Sequence, residues 1–282
     1  MSYFIFKGQD SRDFGILHGL PIPPLPERTL HTDQIPGRYE PMNTLGIERM
    51  NITLSFTLGI TSPDKAREIY SWLQGSGDLI LSNDLTKKYR AFVHASITPE
   101  RLSRRFGNIP ITFTCAPYAY AVTNPFVSVP MNFTDTGADT SVSILSNGTA
   151  ESEPLWFFAF AGKLKITLND TDDPLIIDLP GHYSASEYSY FGTDPTPYWH
   201  YKCEPDEIYV DTASRLAYRL SENGEKTVVT DLTSGRFPEL SPGINTVRFE
   251  LSNERWEHDG RTYIRSDQQL ISFGYRKNER WY

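Results

Sequence analysis

In this 282-residue chain the residues that could combine for chemistry gather between Leu179 and Glu207. His182, His200 and Cys203 share that segment, and two imidazoles with a thiolate make a conceivable soft metal site. Their spacing matches no standard zinc motif, which argues against one. Glu204, Asp206 and Glu207 follow as a carboxylate cluster beside aromatics. Acid/base hydrolysis of a glycoside needs carboxylates held at a set separation, usually on separate strand ends, and adjacency in sequence does not supply that. A solvated acidic loop fits the cluster better. The chain contains no phosphate-binding glycine loop, no Gly-x-Ser-x-Gly elbow, no His-Glu-x-x-His and no Cys-x-x-Cys. No catalytic residue, no cofactor and no metal ligand is expected.

The aromatic content of the same segment is its distinguishing feature: Tyr183, Tyr188, Tyr190, Phe191, Tyr198, Trp199 and Tyr201. Exposed rings beside polar groups can stack on sugar faces, and they can equally anchor a protein interface. Rings folded back would pack on the domain beneath. All three uses stay open, and Tyr190, Tyr198, Trp199 and Tyr201 are the candidate partner or sugar contacts. These rings do not alternate as a strand would require, and Pro195, Pro197 and Pro205 argue against a central strand. Residues 181–205 are therefore expected as a contact loop on the outer side of their domain.

The elements that must position these residues read as β, with one helix. Residues 63–73 (PDKAREIYSWL) have Ser62 as N-cap, Pro63 at the first helical position and Asp64 in the first turn. Ala66, Ile69, Tyr70 and Leu73 fall on one face, and Gly75 follows as a stop. Met50, Ile52, Leu54, Phe56 and Leu58 alternate with polar residues, as do Ala91 to Ile97 and Ile109 to Cys115. The helix stripe must bury itself against these strands. A second β set starts after the small, polar residues 131–140. It runs from Val142 through Leu155–Phe160, Leu164–Leu168, Ile208–Val210, Leu216–Leu220 and Val228–Val229 to Thr246–Leu251 and Leu270–Tyr275. Asn147-Gly148, Ala161-Gly162 and Asn223-Gly224 are its turn signals. Many short strands without a helix read as a β-sandwich. Two domains result, 1–130 and 131–282.

Residues 20–48 stand apart, with six prolines and little alternation. A stretch of that length is a surface loop tied down by its prolines, or an extended arm or long hairpin reaching outside its own domain. Charge divides the chain as well. Residues 1–130 carry 13 lysines and arginines against 11 carboxylates, and residues 131–282 carry 14 against 24. The acidic part would repel phosphates, which makes it a poor candidate for nucleic-acid binding. Cys115 and Cys203 lie far apart, which indicates no disulfide framework and fits a reducing compartment. Residues 1–15 hold no apolar core of signal-peptide length, and no run approaches transmembrane length. The protein is expected not to cross a membrane by itself.

The phrase Phe237-Pro238-Glu239-Leu240-Ser241-Pro242-Gly243-Ile244-Asn245, ahead of a strand, resembles the C-terminal domain of the distal tail protein (Dit) family of siphophages. Phe6-Lys7-Gly8 with Ser11-Arg12-Asp13-Phe14-Gly15 resembles the opening of that family. Ile35-Pro36-Gly37-Arg38 sits where the family has its Pro-Gly-Arg arm. Phe113-Thr114-Cys115-Ala116-Pro117-Tyr118 resembles the end of its first domain, and Asn147-Gly148-Thr149 with Glu153-Pro154 the start of its second. Ile208-Tyr209-Val210-Asp211-Thr212 and the segment Phe273 to Trp281 resemble two later strands. These phrases occur in the family's order over nearly the whole chain. The departure is residues 181–205, similar to a family-variable insertion, and no large inserted carbohydrate-binding domain is present.

The resemblance implies an all-β structural protein with one helix, not an enzyme. Its N-terminal domain would be tail-tube-like and form a hexameric ring, with Ile35, Pro36, Gly37 and Arg38 as inter-subunit arm. Its C-terminal domain would be a galectin-like β-sandwich. Implied partners are the tail tube protein, a tail-associated fibre or lysin protein and receptor-binding baseplate proteins, with DNA only in transit through the lumen. The place would be the tail tip of a virion, after synthesis in the host bacterial cytoplasm or from a prophage. The competing reading is a carbohydrate-binding protein acting through the C-terminal sandwich, with host wall glycan as ligand.

Overall fold

The computed structural model describes residues 2–33, 42–60, 62, 65–94, 97–101, 107–134, 140–179, 182–190, 197–202, 205–251, 255–258, 261–266 and 269–282. At 31–33, 42–48, 101, 132–134, 182–190, 197–202, 255–258 and 261–266 it describes backbone only. The chain divides into two compact units, Met1–Thr123 with Arg280–Tyr282, and Asn124–Glu279. The division falls ahead of the expected 130/131 boundary because Val127 to Pro130 already pair with a strand of the second unit. The fold is all-β with one α-helix, as the sequence predicts.

The first unit contains β1 (Phe4–Phe6), β2 (Gln9–Asp10), β3 (Ile16–Leu17), β4 (Arg28–Asp33), β5 (Met42–Arg49) and β6 (Ile52–Ile60). Helix α1 (Lys65–Leu73) follows, then β7 (Ser76–Leu81), β8 (Asp84–Phe92), β9 (Glu100–Arg101) and β10 (Gly107–Ala121). A sheet runs β2-β1-β7-β8-β10-β6-β3, with β9 and the C-terminal strand Arg280–Trp281 also on β10. In β6 the even-numbered residues Ile52 to Ile60 are buried and the odd-numbered ones are not, so one face lies on the core. Met50 was expected in that set; it is exposed, because pairing with β10 ends at Ile52.

Helix α1 buries Ile69, Trp72 and Leu73. Trp72 was not among the expected face residues, yet its ring stacks on Phe14 and Phe4 and its Nε1 donates to the Phe6 carbonyl at 2.9 Å. Ala66 and Tyr70, expected on that face, are half-buried. Pro63 and Asp64 lie outside the described residues. The proline-rich stretch leads into the antiparallel hairpin β4–β5, which forms a two-stranded sheet of its own.

The second unit contains β11 (Val127–Thr134), β12 (Thr140–Ser146), β13 (Leu155–Ala161), β14 (Lys163–Leu168), β15 (Leu175–Asp178), β16 (His182–Tyr190), β17 (Pro197–Lys202) and β18 (Asp206–Asp211). It continues with β19 (Leu216–Leu220), β20 (Lys226–Val228), β21 (Thr233–Ser234), β22 (Gly243–Leu251), β23 (Arg255–His258), β24 (Arg261–Ser266) and β25 (Gln269–Arg276). One sheet has the order β11-β25-β13-β18-β19-β20 and a second the order β12-β22-β14-β15-β21. Phe158, Val210 and Phe273 of the first share one hydrophobic core with Ile166, Ile177 and Phe249 of the second. Gly162, at φ +100°, turns the chain from one sheet into the other. The remaining strands of the unit form a four-stranded sheet with the order β16-β17-β24-β23.

That small sheet corrects the expected loop at 181–205. Its β17 is an inner strand, antiparallel to β16 and parallel to β24. The proline argument fails because Pro197 is the first residue of β17, where a missing N–H is tolerated, and Pro205 lies between strands, while Pro195 is outside the described residues.

Candidate functional site

Among the described residues, those with chemical potential do not converge. His182 and His200 sit on β16 and β17 at different register positions, and Cys203 and Glu204 lie outside the described residues. Asp206 is held in an ion pair with Arg219 at 2.7 Å, and Glu207 is exposed on the opposite side of β18. Cys115 is fully buried on the core face of β10, and burial pushes its thiol up to about 12, far from a reactive thiolate. Among the described residues, no group of three or more His, Cys, Asp or Glu could hold a metal ion. A cleft of about 240 Å³ in the second unit has Ile166, Leu168 and Leu175 in its lining, with Arg236, Glu239 and Asp173. Arg236 and Glu239 face each other there at 3.5 Å.

The Phe237–Asn245 phrase is a structural staple. Trp156 donates from Nε1 to the Pro238 carbonyl at 3.1 Å and to the Thr212 hydroxyl at 3.2 Å. The Thr212 hydroxyl donates to the same carbonyl at 3.1 Å. Leu240 is fully buried and bridges Ser152 through paired backbone hydrogen bonds of 2.9 and 3.0 Å. Gly243 takes φ +95°, which an L-residue would resist. Asn245, fully buried, accepts at Oδ1 from the Ser241 N–H and from Asn169 Nδ2, and donates from Nδ2 to the carbonyls of Ser241 and Gly243. Every capacity of its amide is used.

The interaction candidates fall on the four-stranded sheet. Register sets Tyr188 opposite Trp199, Trp199 opposite Tyr263, and Tyr263 opposite Trp256. One row across four strands therefore reads Tyr, Trp, Tyr, Trp, from two segments distant in sequence. Tyr190 (opposite Pro197) and Tyr201 (opposite Tyr183) occupy the same face as Trp199. Tyr198, opposite Ser189 and Thr262, belongs to the other face. Thus three of the four expected contact residues share a face and one does not. Trp256 and Tyr263 were missed: local spacing holds no sign that their strands join β17. The expected arm residues Ile35, Pro36, Gly37 and Arg38 lie outside the described residues.

No family model and no curated protein sequence matches the chain. Among solved structures, the chain is similar to the SPP1 Dit (gp 19.1) protein, described as a paradigm of the hub adsorption apparatus in phages that infect Gram-positive bacteria. The TM-score is 0.62, the identity 13%, and the match covers 100% of both chains. The fold is Dit-like. At this identity the likeness speaks for the fold alone. It runs end to end, so both units are included in the Dit-like arrangement of elements.

Proposed function

We propose that the chain is a structural protein of a phage tail tip, built into a hub as the Dit of SPP1 is into its adsorption apparatus. The observation that carries this reading is the end-to-end coverage of the Dit fold by a chain with two separate β units. In this reading the first unit is the tail-tube-like, ring-forming domain, and six copies close into a ring. The second unit is a galectin-like sandwich, turned toward fibre, lysin or receptor-binding proteins. DNA passes through the lumen in transit, and the tail tube protein lies on the other side. The aromatic row of β16, β17, β24 and β23 would supply a contact surface for a co-assembled protein, since aromatic residues are enriched where proteins meet. No catalytic step is assigned.

The hairpin β4–β5 supports the ring through its length: a strand pair outside the main sheet suits an arm laid on a neighbouring subunit. Removal of residues 33–46 tests this by light scattering. The reading expects the shortened chain to fold, with an unchanged circular-dichroism spectrum, and to fall to a smaller mass than the intact chain. Normal assembly of the shortened chain would sink the role of the arm.

The second reading, a carbohydrate-binding protein, draws on the same aromatic row, because rings in a line can stack on an extended host wall glycan. It expects a monomer or dimer that binds purified wall glycan without assembling further.

A further inference from the structure

An arginine–tyrosine face on the first unit is used by neither the fold core nor the reading above. Row pairing sets Lys88 of β8 beside Tyr120 of β10 and Tyr120 beside Arg280. On this face three guanidinium groups cover three tyrosine rings. Arg90 lies 4.7 Å from the centre of Tyr120, Arg280 5.2 Å from Tyr118, and Arg49 4.5 Å from Tyr282. Tyr118 and Tyr282 are themselves 5.4 Å apart, so the cluster is continuous. Arg49 is further fixed by donating from Nη1 to the Pro26 carbonyl at 3.1 Å. Lys88 is neutralised by Asp78 at 2.7 Å. Among the described residues, Arg49 and Arg90 form no ion pair.

A guanidinium laid on a ring, as Arg90 is on Tyr120, presents its N–H edge to a planar carboxylate and has already lost part of its rotamer freedom. Arginine and tyrosine are also the types that dominate interface hot spots. Stacked bases are a poorer fit, because a single-strand platform needs open ring faces and these carry arginines. The occupant should therefore be a protein surface rich in carboxylates. The chain has one: the second unit, Asn124–Glu279, carries 13 lysines and arginines against 24 carboxylates, with Asp172, Asp173, Glu222 and Glu225 exposed. A contact between two different patches is heterologous, the kind that closes into rings.

We propose that this arginine–tyrosine face of one copy receives the acidic second unit of the next copy. The inference rests on the ring reading and adds the contact that orders it. Sedimentation velocity of the full chain, at about 0.05 M and about 0.5 M salt, tests it. The intact protein should assemble at low salt and shift toward smaller species at high salt. The double variant Arg49→Glu/Arg90→Glu should self-associate about tenfold or more weakly at low salt. Arg90→Gln, a milder change at an exposed position, should fall between the two with an unaltered melting curve. Equal assembly of all three proteins at both salts would remove this face from the contact and leave the ring reading standing. An intact protein that is monomeric at both salts would overturn both. Binding of a labelled single-stranded oligonucleotide, lost in the double variant while self-association is untouched, would make the face a nucleic-acid surface and overturn the proposal.

Discussion

Asn245 shows how much one side chain can hold. Its amide joins Ser241, Gly243 and Asn169, and Asn169 in turn accepts from the Thr246 N–H at 2.8 Å. Buried groups left without partners cost more than the bonds themselves contribute. Asn245→Ala should therefore lower stability by about 2–3 kcal/mol in urea unfolding; a loss under about 0.5 kcal/mol would contradict the staple. At this scale the sequence was partly legible. The prolines and glycine ahead of Asn245 marked a stiff turn, and the phrase carried the resemblance. The phrase's partners Trp156, Thr212 and Asn169 were not legible, since they lie 82, 26 and 76 residues from the groups they bond, and no local spacing encodes such pairings.

Elements were legible where their periodicity was local. Alternation found β6, β10 and β14, and the apolar stripe found α1. The phase of α1 was read one residue off its true centre, because Ala66 and Tyr70 fitted the stripe and Trp72 did not. In the structure Trp72 is the anchor, held by two stacked rings and a hydrogen bond to Phe6. Trp72→Ala should cost about 3–5 kcal/mol, read as a drop in melting temperature; an unchanged melting curve would show that α1 docks without it. The aromatic segment failed for another reason. Prolines exclude interior strand positions only, and Pro197 opens its strand. The strand that makes β17 an inner one, β24, comes from residues 261–266 and pairs in parallel, a contact sequence alternation does not announce.

At the scale of the whole molecule, two β units and a charge division were readable, while the return of Arg280–Trp281 to β10 was not. That return brings Arg280 and Tyr282 to the arginine–tyrosine face, so a surface of the first unit depends on the last residues of the chain. The proposed hub needs copies to close on one another through heterologous contacts, for which the β4–β5 hairpin and this face are the candidates. Native mass spectrometry of the intact chain at low salt tests that requirement most directly. The account expects a dominant species of six times the 32.1 kDa chain. A protein that stays monomeric or dimeric at every concentration would contradict it.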